Sequence, residues 1–94
     1  MSETPEASTP QRRQASIEKK ISEIEKNDVR LRIVGLVIDQ KDNVVVIDDG
    51  TGKINVVFAE PVQAEVNSRV RVFGQAMPTE DGFEMQGEIL QDMT

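Results

Sequence analysis

The residue types best suited to chemistry lie in one short segment, Asp48 to Lys53, which reads "DDGTGK". Glycine, threonine and lysine are the residues that cradle phosphate groups in nucleotide-binding loops. A P-loop, however, needs Gly, four further residues and then Gly-Lys-Ser/Thr before a helix, and this segment has neither the spacing nor a helical pattern after it. A phosphate-binding loop is therefore not indicated.

The same segment could instead contribute to a metal site, because carboxylates are the ligands that Mg²⁺ prefers. Four aspartates lie in or near it: Asp39, Asp42, Asp48 and Asp49. The sequence contains no Cys and no His, which excludes metal sites built on those residues and excludes Ser-His-Asp and Cys-His nucleophiles. We expect a protein that is not an enzyme and has no cofactor.

A tight β-turn explains the segment more simply. After Lys53, the apolar residues Ile54, Val56 and Phe58 alternate with polar or outward positions, which predicts a strand. We therefore predict that Gly50 and Gly52 adopt positive φ angles in a hairpin turn, and that the two aspartates before them accept local backbone N–H groups.

The length and composition limit the number of domains and the kinds of ligand that the chain can bind. The 94 residues allow one domain, and the formal net charge of -6 argues against a surface that binds nucleic acid everywhere. Residues 1–27 carry equal numbers of acids and bases, so the net charge belongs to the remainder. The sequence has no apolar run of membrane-spanning length and no signal-peptide core, so we expect a cytoplasmic protein that does not contact membranes.

Three regions follow one another along the chain. Residues 1–15 are rich in Ser, Thr, Pro, Glu and Gln and predict a disordered tail. Residues 16–94 predict a single domain that begins with a short helix over 16–27, in which Ile17, Ile21 and Ile24 follow helical spacing and Ser16 is the N-cap. So short a helix is marginal alone, so this isoleucine stripe must pack on the main body or on a partner.

Beyond Asp28 the apolar period changes to two, which predicts five strands. In the first of these strands Val29, Leu31 and Ile33 are expected to face inward. Val70 and Val72 are expected to do the same in the fourth strand. Gly35 interrupts the longest strand, as required where one bent strand contributes to both halves of a small barrel.

The order "VRLRIVGLVID", "NVVVIDDGTGKINVVF", "VNSRVRVFGQAM" resembles the OB-fold modules of replication protein A, especially archaeal single-stranded-DNA-binding proteins and their small accessory relatives. The resemblance spans Ile21 to Ile89. It implies an all-β fold, a five-stranded OB-fold barrel with the short N-terminal helix and the disordered tail. In such proteins the segment before the barrel often runs extended, so 16–27 is alternatively part helix and part strand. The connection after the third strand has room for about one turn of helix at most. The isoleucine stripe is therefore expected to cover the open end of the barrel instead.

An OB-fold usually binds nucleic acid on its second and third strands and on the loops that flank them. Here those loops, "DQKDN" and "PTEDG", are acidic, and Phe58 and Phe83 fall on inward positions, so few rings remain for base stacking. An outward basic set could still contact phosphates. Alternatively, its arginines form an ordinary charged surface with Glu84 and Glu88 as cross-strand partners. The nucleic-acid-binding candidates are Arg30, Arg32, Lys53, Asn55, Arg69, Arg71 and Phe73.

If Val45, Ile47, Ile54 and Val56 fill the core, then Val44, Val46 and Val57 form an apolar strip outside it, unless the register is shifted by one residue. Two functions from different classes follow. The first is a non-catalytic accessory subunit of an archaeal-type DNA replication complex. It would dock on a polymerase, a primase or a replication-protein-A-like subunit. The second is a weak binder of single-stranded DNA or RNA. The predicted partner-binding residues are Ile17, Ile21, Ile24, Val44, Val46 and Val57.

Overall fold

The alternating segments form strands in the computed structural model, which describes residues 17–26 and 28–93. The tail predicted over 1–15 lies outside these residues. The first strand is only two residues long, and the other five are the predicted ones. The strands are β1 (Ile17–Glu18), β2 (Arg30–Lys41), β3 (Val44–Asp48), β4 (Lys53–Val57), β5 (Arg69–Thr79) and β6 (Gly82–Asp92).

Five of these strands close into a barrel. Strand β2 pairs antiparallel with both β3 and β5, β3 pairs antiparallel with β4, and β5 pairs antiparallel with β6. The parallel pair β4–β6 closes the circuit, and β1 adds to β2 in parallel. The predicted all-β class with a five-stranded barrel is thus confirmed. Among the described residues, none of the helical structure is long and apolar enough to cross a bilayer.

Strand β2 belongs to both halves of the barrel, and Gly35 marks the change of partner. Residues 30–36 pair with β5, while residues 36–41 pair with β3. A Cβ atom on Gly35 would lie 2.7 Å from the backbone oxygen of Asp48, closer than any side chain tolerates. The end of β3 can therefore approach β2 only where β2 has no side chain, as the sequence predicted.

Alternate residues of the strands build the core. Leu31, Ile33, Val70 and Val72 are buried, as the alternation predicted. The prediction was wrong for Val29, which is 66% exposed because the ladder with β5 begins only at Arg30. The other buried hydrophobic residues are Ile24, Val37, Val45, Ile47, Ile54, Val56, Phe58 and Met85, among them the four valines and isoleucines expected from β3 and β4.

The N-terminal segment differs from the helix predicted over 16–27. The described residues 17–26 contain β1 and one turn of 3₁₀-helix, Ile21–Glu23. Backbone groups that an α-helix would use internally are bonded elsewhere, since the Lys19 N–H donates to the Arg32 carbonyl across 3.1 Å. The side chain of Lys19 lies 3.1 Å from the carboxylate of Asp28 and closes the following turn. The alternative of part strand and part helix describes the segment better.

The two ends of β3 are covered by irregular chain. Ile24 is buried in the core, and Ile21 packs against it beside the turn that follows β3. At the other end, the connection from β4 to β5 contains no helix, and its residue Val62 donates a backbone hydrogen bond to the Asp42 carbonyl in the turn before β3. The isoleucine segment therefore closes one end of the barrel, and Val62 and Ala64 pack at the other.

If the N-terminal segment is part of the folded unit, Ile24→Ala should destabilise the protein by about 2 kcal/mol, because it removes a buried aliphatic side chain. Ile17→Ala is the matched control, since Ile17 is 57% exposed and should change stability by less than about 0.5 kcal/mol. Urea denaturation followed by circular dichroism measures both values. Equal stabilities of the two variants would contradict this packing.

Candidate functional site

The "DDGTGK" segment is a turn that satisfies its own backbone. The Gly50 N–H lies 2.8 Å from the Asp48 carboxylate, and the Thr51 and Gly52 N–H groups lie 2.8 and 3.2 Å from one oxygen of Asp49. Gly50 has a φ of +90°, as predicted. Gly52 does not have a positive φ. A glycine at this position leaves room for Ile21, because a Cβ atom there would lie only 3.3 Å from the Cγ2 atom of Ile21.

Asp49 also anchors the N-terminal segment, a role that the sequence analysis missed. Its second carboxylate oxygen accepts the Ile21 N–H across 2.8 Å, and the Thr51 hydroxyl accepts the Ser22 N–H across 3.2 Å. Burial alone would raise the pKa of Asp49, but the hydrogen bonds from Thr51, Ile21 and Gly52 outweigh it and hold the pKa below its ordinary value. The signal available in the sequence was the pair of adjacent aspartates, which offers more carboxylate oxygens than the N–H groups of the turn use.

The hypothesis of a Mg²⁺ site receives no support from this geometry. The carboxylates of Asp48 and Asp49 are turned onto backbone N–H groups of the turn and of the N-terminal segment. Within residues 17–26 and 28–93, no three acidic side chains come together in a way that could hold a metal ion.

The outer face of β3 and β4, here called the valine face, carries a strip of aliphatic side chains. Val44 lies opposite Val57, and Val46 lies opposite Asn55 in the neighbouring pair. These three valines are half-buried, while Asn55 and Lys53 are exposed. The observed register is the one from which the strip was predicted. It brings together Val44, Val46, Val57, Lys53 and Asn55.

The outer face of β2 and β5, here called the arginine face, is a separate surface. Arg32 lies opposite Phe73, and Arg71 and Arg69 lie opposite Val34 and Leu36. Most of its charges have partners: Arg30 contacts Glu88, and the Nε atom of Arg32 lies 3.4 Å from Glu18. The Nη1 atom of Arg71 lies 3.4 Å from the side-chain oxygen of Gln91. This arrangement is the charged surface that the sequence analysis gave as the alternative to a phosphate track.

The predicted cross-strand partners of these arginines are only half right. The β5–β6 register shifts between Phe73 and Gly74, which leaves Glu88 as the extra residue of β6 and lets its carboxylate reach Arg30. Glu84 instead lies opposite Met77, farther along β5 than Arg69 and Arg71, and forms no ion pair with any described residue.

The isoleucine stripe is not one exposed surface. Ile17 is exposed, Ile21 is half-buried and Ile24 is buried in the core. Ile24 is therefore not available to a partner, because the 3₁₀ turn points it into the barrel rather than along a helix face.

The turns that flank the valine face are short. Strand β2 continues to Lys41 and β3 begins at Val44, so only two residues, Asp42 and Asn43, join them. Glu80 and Asp81 alone join β5 to β6. Much of the loop sequence "DQKDN" and "PTEDG" is therefore strand, and the exposed parts keep their acids.

No protein-family model matches the chain, and no curated protein matches it either. Three solved structures are similar. A replication protein A heterotrimer bound to ssDNA aligns with a TM-score of 0.60 at 20% identity, over 70% of this chain and 58% of that one. The Stn1–Ten1 complex of S. pombe aligns with a TM-score of 0.60 at 20% identity, over 69% of this chain and 58% of that one. The hypothetical protein ygiW of E. coli aligns with a TM-score of 0.59 at 13% identity, over 84% of this chain and 90% of that one.

The chain has an OB-fold. It spans about three-fifths of the length of the replication protein A and Stn1–Ten1 chains that it matches, and nine-tenths of the ygiW chain. In an OB-fold the ligand face is formed by the second and third barrel strands, which here are β3 and β4. The valine face thus occupies the position where other OB-folds place nucleic acid.

The aromatic residues of this OB-fold lie elsewhere. Phe58 is buried, Phe83 is partly buried against the core, and Phe73 belongs to the arginine face. Since the sequence has three Phe and no Trp or Tyr, no ring projects from β3 or β4 on the valine face.

Gly50→Val should destabilise the fold by about 1–3 kcal/mol, because a β-branched residue is strained at a φ of +90°. Asn55→Val places the same side chain at an exposed strand position of the same hairpin and serves as the control. Thermal unfolding followed by circular dichroism compares the two. A Gly50→Val protein that melts like wild type but loses a binding activity would contradict the turn assignment.

Asp49→Asn should lower the free energy of unfolding by about 2 kcal/mol near neutral pH, since it weakens several charge-assisted hydrogen bonds at once. Because the folded-state pKa of Asp49 is lowered, its contribution is present above the unfolded value of about 3.9 and is lost as the pH falls through the folded value. The difference between wild type and variant should therefore shrink below about pH 4.

Urea denaturation at several pH values tests the Asp49 prediction. Asp48→Asn is the control, because the Asp48 side chain accepts one local N–H rather than several. A difference between wild type and Asp49→Asn that stays constant down to strongly acidic pH would show that the carboxylate charge does not hold the N-terminal segment.

Proposed function

We propose that the chain is a non-catalytic OB-fold accessory subunit of an archaeal-type DNA replication complex. It docks through its valine face on a larger replication protein, such as a polymerase, a primase or a replication-protein-A-like subunit. One observation carries the proposal: the ligand face of the OB-fold displays an aliphatic strip, Val44, Val46 and Val57, and no aromatic ring.

Stacking on aromatic rings contributes about 1–3 kcal/mol per base in single-stranded DNA binding, and the valine face offers none of it. The electrostatics act in the same direction. Acids occupy both flanking turns, at Asp42 and at Glu80 and Asp81, so phosphates would approach carboxylates within a Debye length of about 8–10 Å. The burial of aliphatic side chains under a protein partner instead lowers the free energy of the complex.

The comparisons support the proposal at the level of the fold. Among the similar structures, one is a heterotrimer and another is a complex of two proteins, so there the fold occurs within an assembly. At 20% identity or below, these likenesses concern the barrel and not the partner. The identity of the replication partner is therefore part of the proposal.

Direct, weak binding of single-stranded DNA or RNA is the second candidate. The observation that favours it is the arginine face, where four arginines and Phe73 lie on adjacent strands. Lys53 and Asn55 do not extend this surface, because they project from the valine face. The ion pairs of Arg30 and Arg32 leave less charge for phosphates than the residue types suggest.

Fluorescence anisotropy with a labelled oligonucleotide separates the two candidates. We expect a Kd on the order of 10⁻⁴–10⁻⁶ M at physiological salt, as for non-specific binding. Replacing both Arg30 and Arg32 by Gln should change it by no more than about three-fold, because both arginines already have carboxylate partners. Nanomolar binding with a steep salt slope would instead establish the second candidate.

The docking role is tested by Val46→Lys, which puts a charge in the middle of the valine face. We expect the variant to fold, since Val46 is not in the core, and to lose at least about ten-fold of its affinity for the replication partner. Val66→Lys, at a position that is 52% exposed and outside the strip, is the control. Co-purification from the source organism identifies the partner, and titration calorimetry with that partner measures the affinity. The proposal fails if Val46→Lys leaves the complex intact.

A further inference from the structure

A cleft of about 290 Å³ continues the valine face at the end of β4. Val57 belongs to both the strip and the cleft. The β5–β6 hairpin, whose strand β6 pairs with the end of β4, also lines this cleft through Met77 and Met85, as do Phe58 and Ala59. Met77 is 45% exposed, so an apolar and conformationally adaptable side chain stands open at the wall.

A second, shallower cleft of about 520 Å³ joins the first, because Phe58, Ala59 and Gln86 line both. It extends along the start of the β4–β5 connection to Pro61 and Val62. We call the two together the β4 cleft. The first part is the mainly apolar one, and the two volumes together leave room for more than one side chain of an incoming segment.

The rim of the β4 cleft is acidic. Glu84 lines the first part, Glu60 and Glu88 line the second, and neither Lys nor Arg is found among the described residues that line either part. Glu88 is neutralised by Arg30. Glu60 and Glu84 form no ion pair with any described residue, and Glu84 is half-buried, so the cleft holds uncompensated negative charge beside its apolar interior.

We infer that the β4 cleft binds a short basic segment of a protein partner, in which apolar side chains are flanked by Lys or Arg. The apolar side chains fill the space between Val57 and Met77, and the basic groups pair with Glu60 and Glu84. This inference rests on the proposed docking function and names the chemistry of the docking partner. The same charges oppose a nucleic acid strand at this position, because its phosphates would meet the carboxylates of Glu60 and Glu84.

Two synthetic peptides of about fourteen residues serve as probes. One has Leu at helical spacing and Lys elsewhere; the other has the same Leu positions and Glu in place of every Lys. We expect the full chain to bind the basic peptide at about 0.15 M salt and to bind the acidic one at least about ten-fold more weakly. Amide shifts in NMR spectra should locate the basic peptide at Ala59, Met77 and Glu84.

Matched variants separate the cleft from the general negative charge. Glu60→Gln with Glu84→Gln should weaken binding by about ten-fold. Glu23→Gln with Glu65→Gln changes the net charge equally at exposed sites outside the cleft, and should weaken binding by less than about two-fold. Met77→Gln should weaken it by about five-fold, whereas Met93→Gln, at a similarly exposed methionine, should not.

Equal weakening by the two double variants would overturn the inference, because attraction would then come from the net charge alone. So would equal binding of the two peptides, or amide shifts confined to other faces. If these results were found while Val46→Lys still disrupted the partner complex, the docking function would stand without the cleft. If Val46→Lys had no effect, the docking function itself would fail.

Discussion

The close approach of β3 to β2 at Gly35 is the constraint on which the rest of the structure depends. With the Asp48 carbonyl 2.7 Å from the position of an absent Cβ, β2 can change partners from β5 to β3 within one residue and close the barrel. The same contact sets the turn after β3 beside the edge of β2, where the carboxylate of Asp49 reaches the Ile21 N–H. That hydrogen bond in turn holds the segment that places Ile24 in the core.

Much of the barrel was predictable because a closed sheet has one inside, so the alternation of apolar residues determines the face of each strand. Thus Val45 and Ile54 were correctly placed inward, and Val44, Val46 and Val57 outward. Over the described residues 17–26 the predicted helix does not form, because three isoleucines at helical spacing also fit an extended stretch followed by a turn. The hydrogen bonds that the Arg32 carbonyl and the Asp49 carboxylate accept decide between the two. Each of these bonds joins residues at least a dozen positions apart, so the local spacing of apolar residues does not predict them.

The sequence predicted which side chains share each outer face of the barrel, but it did not predict the β4 cleft. Which side chains share the valine face and the arginine face follows from strand phase. The partners of the charged residues depend on the shift between Phe73 and Gly74, which moves Glu88 toward Arg30, while Glu84 has no ion pair among the described residues. The β4 cleft requires the hairpin of β5 and β6 to stand beside the connection that follows β4, a contact between segments far apart in sequence.

The lack of a helix between β4 and β5 and the shortness of the two hairpin turns act together on function. The loops that flank the ligand strands of an OB-fold usually take part in binding, and here both are turns of two residues, which leave little chain to close over a ligand on the valine face. The first part of the irregular connection after β4, residues 58–62, instead lines a cleft together with residues 86–88 of β6. Because the flanking turns are short and the concave surface belongs to the connection, the apolar surfaces described above are already formed in the unbound chain. A preformed surface loses little conformational entropy when it binds, which agrees with the docking function proposed above.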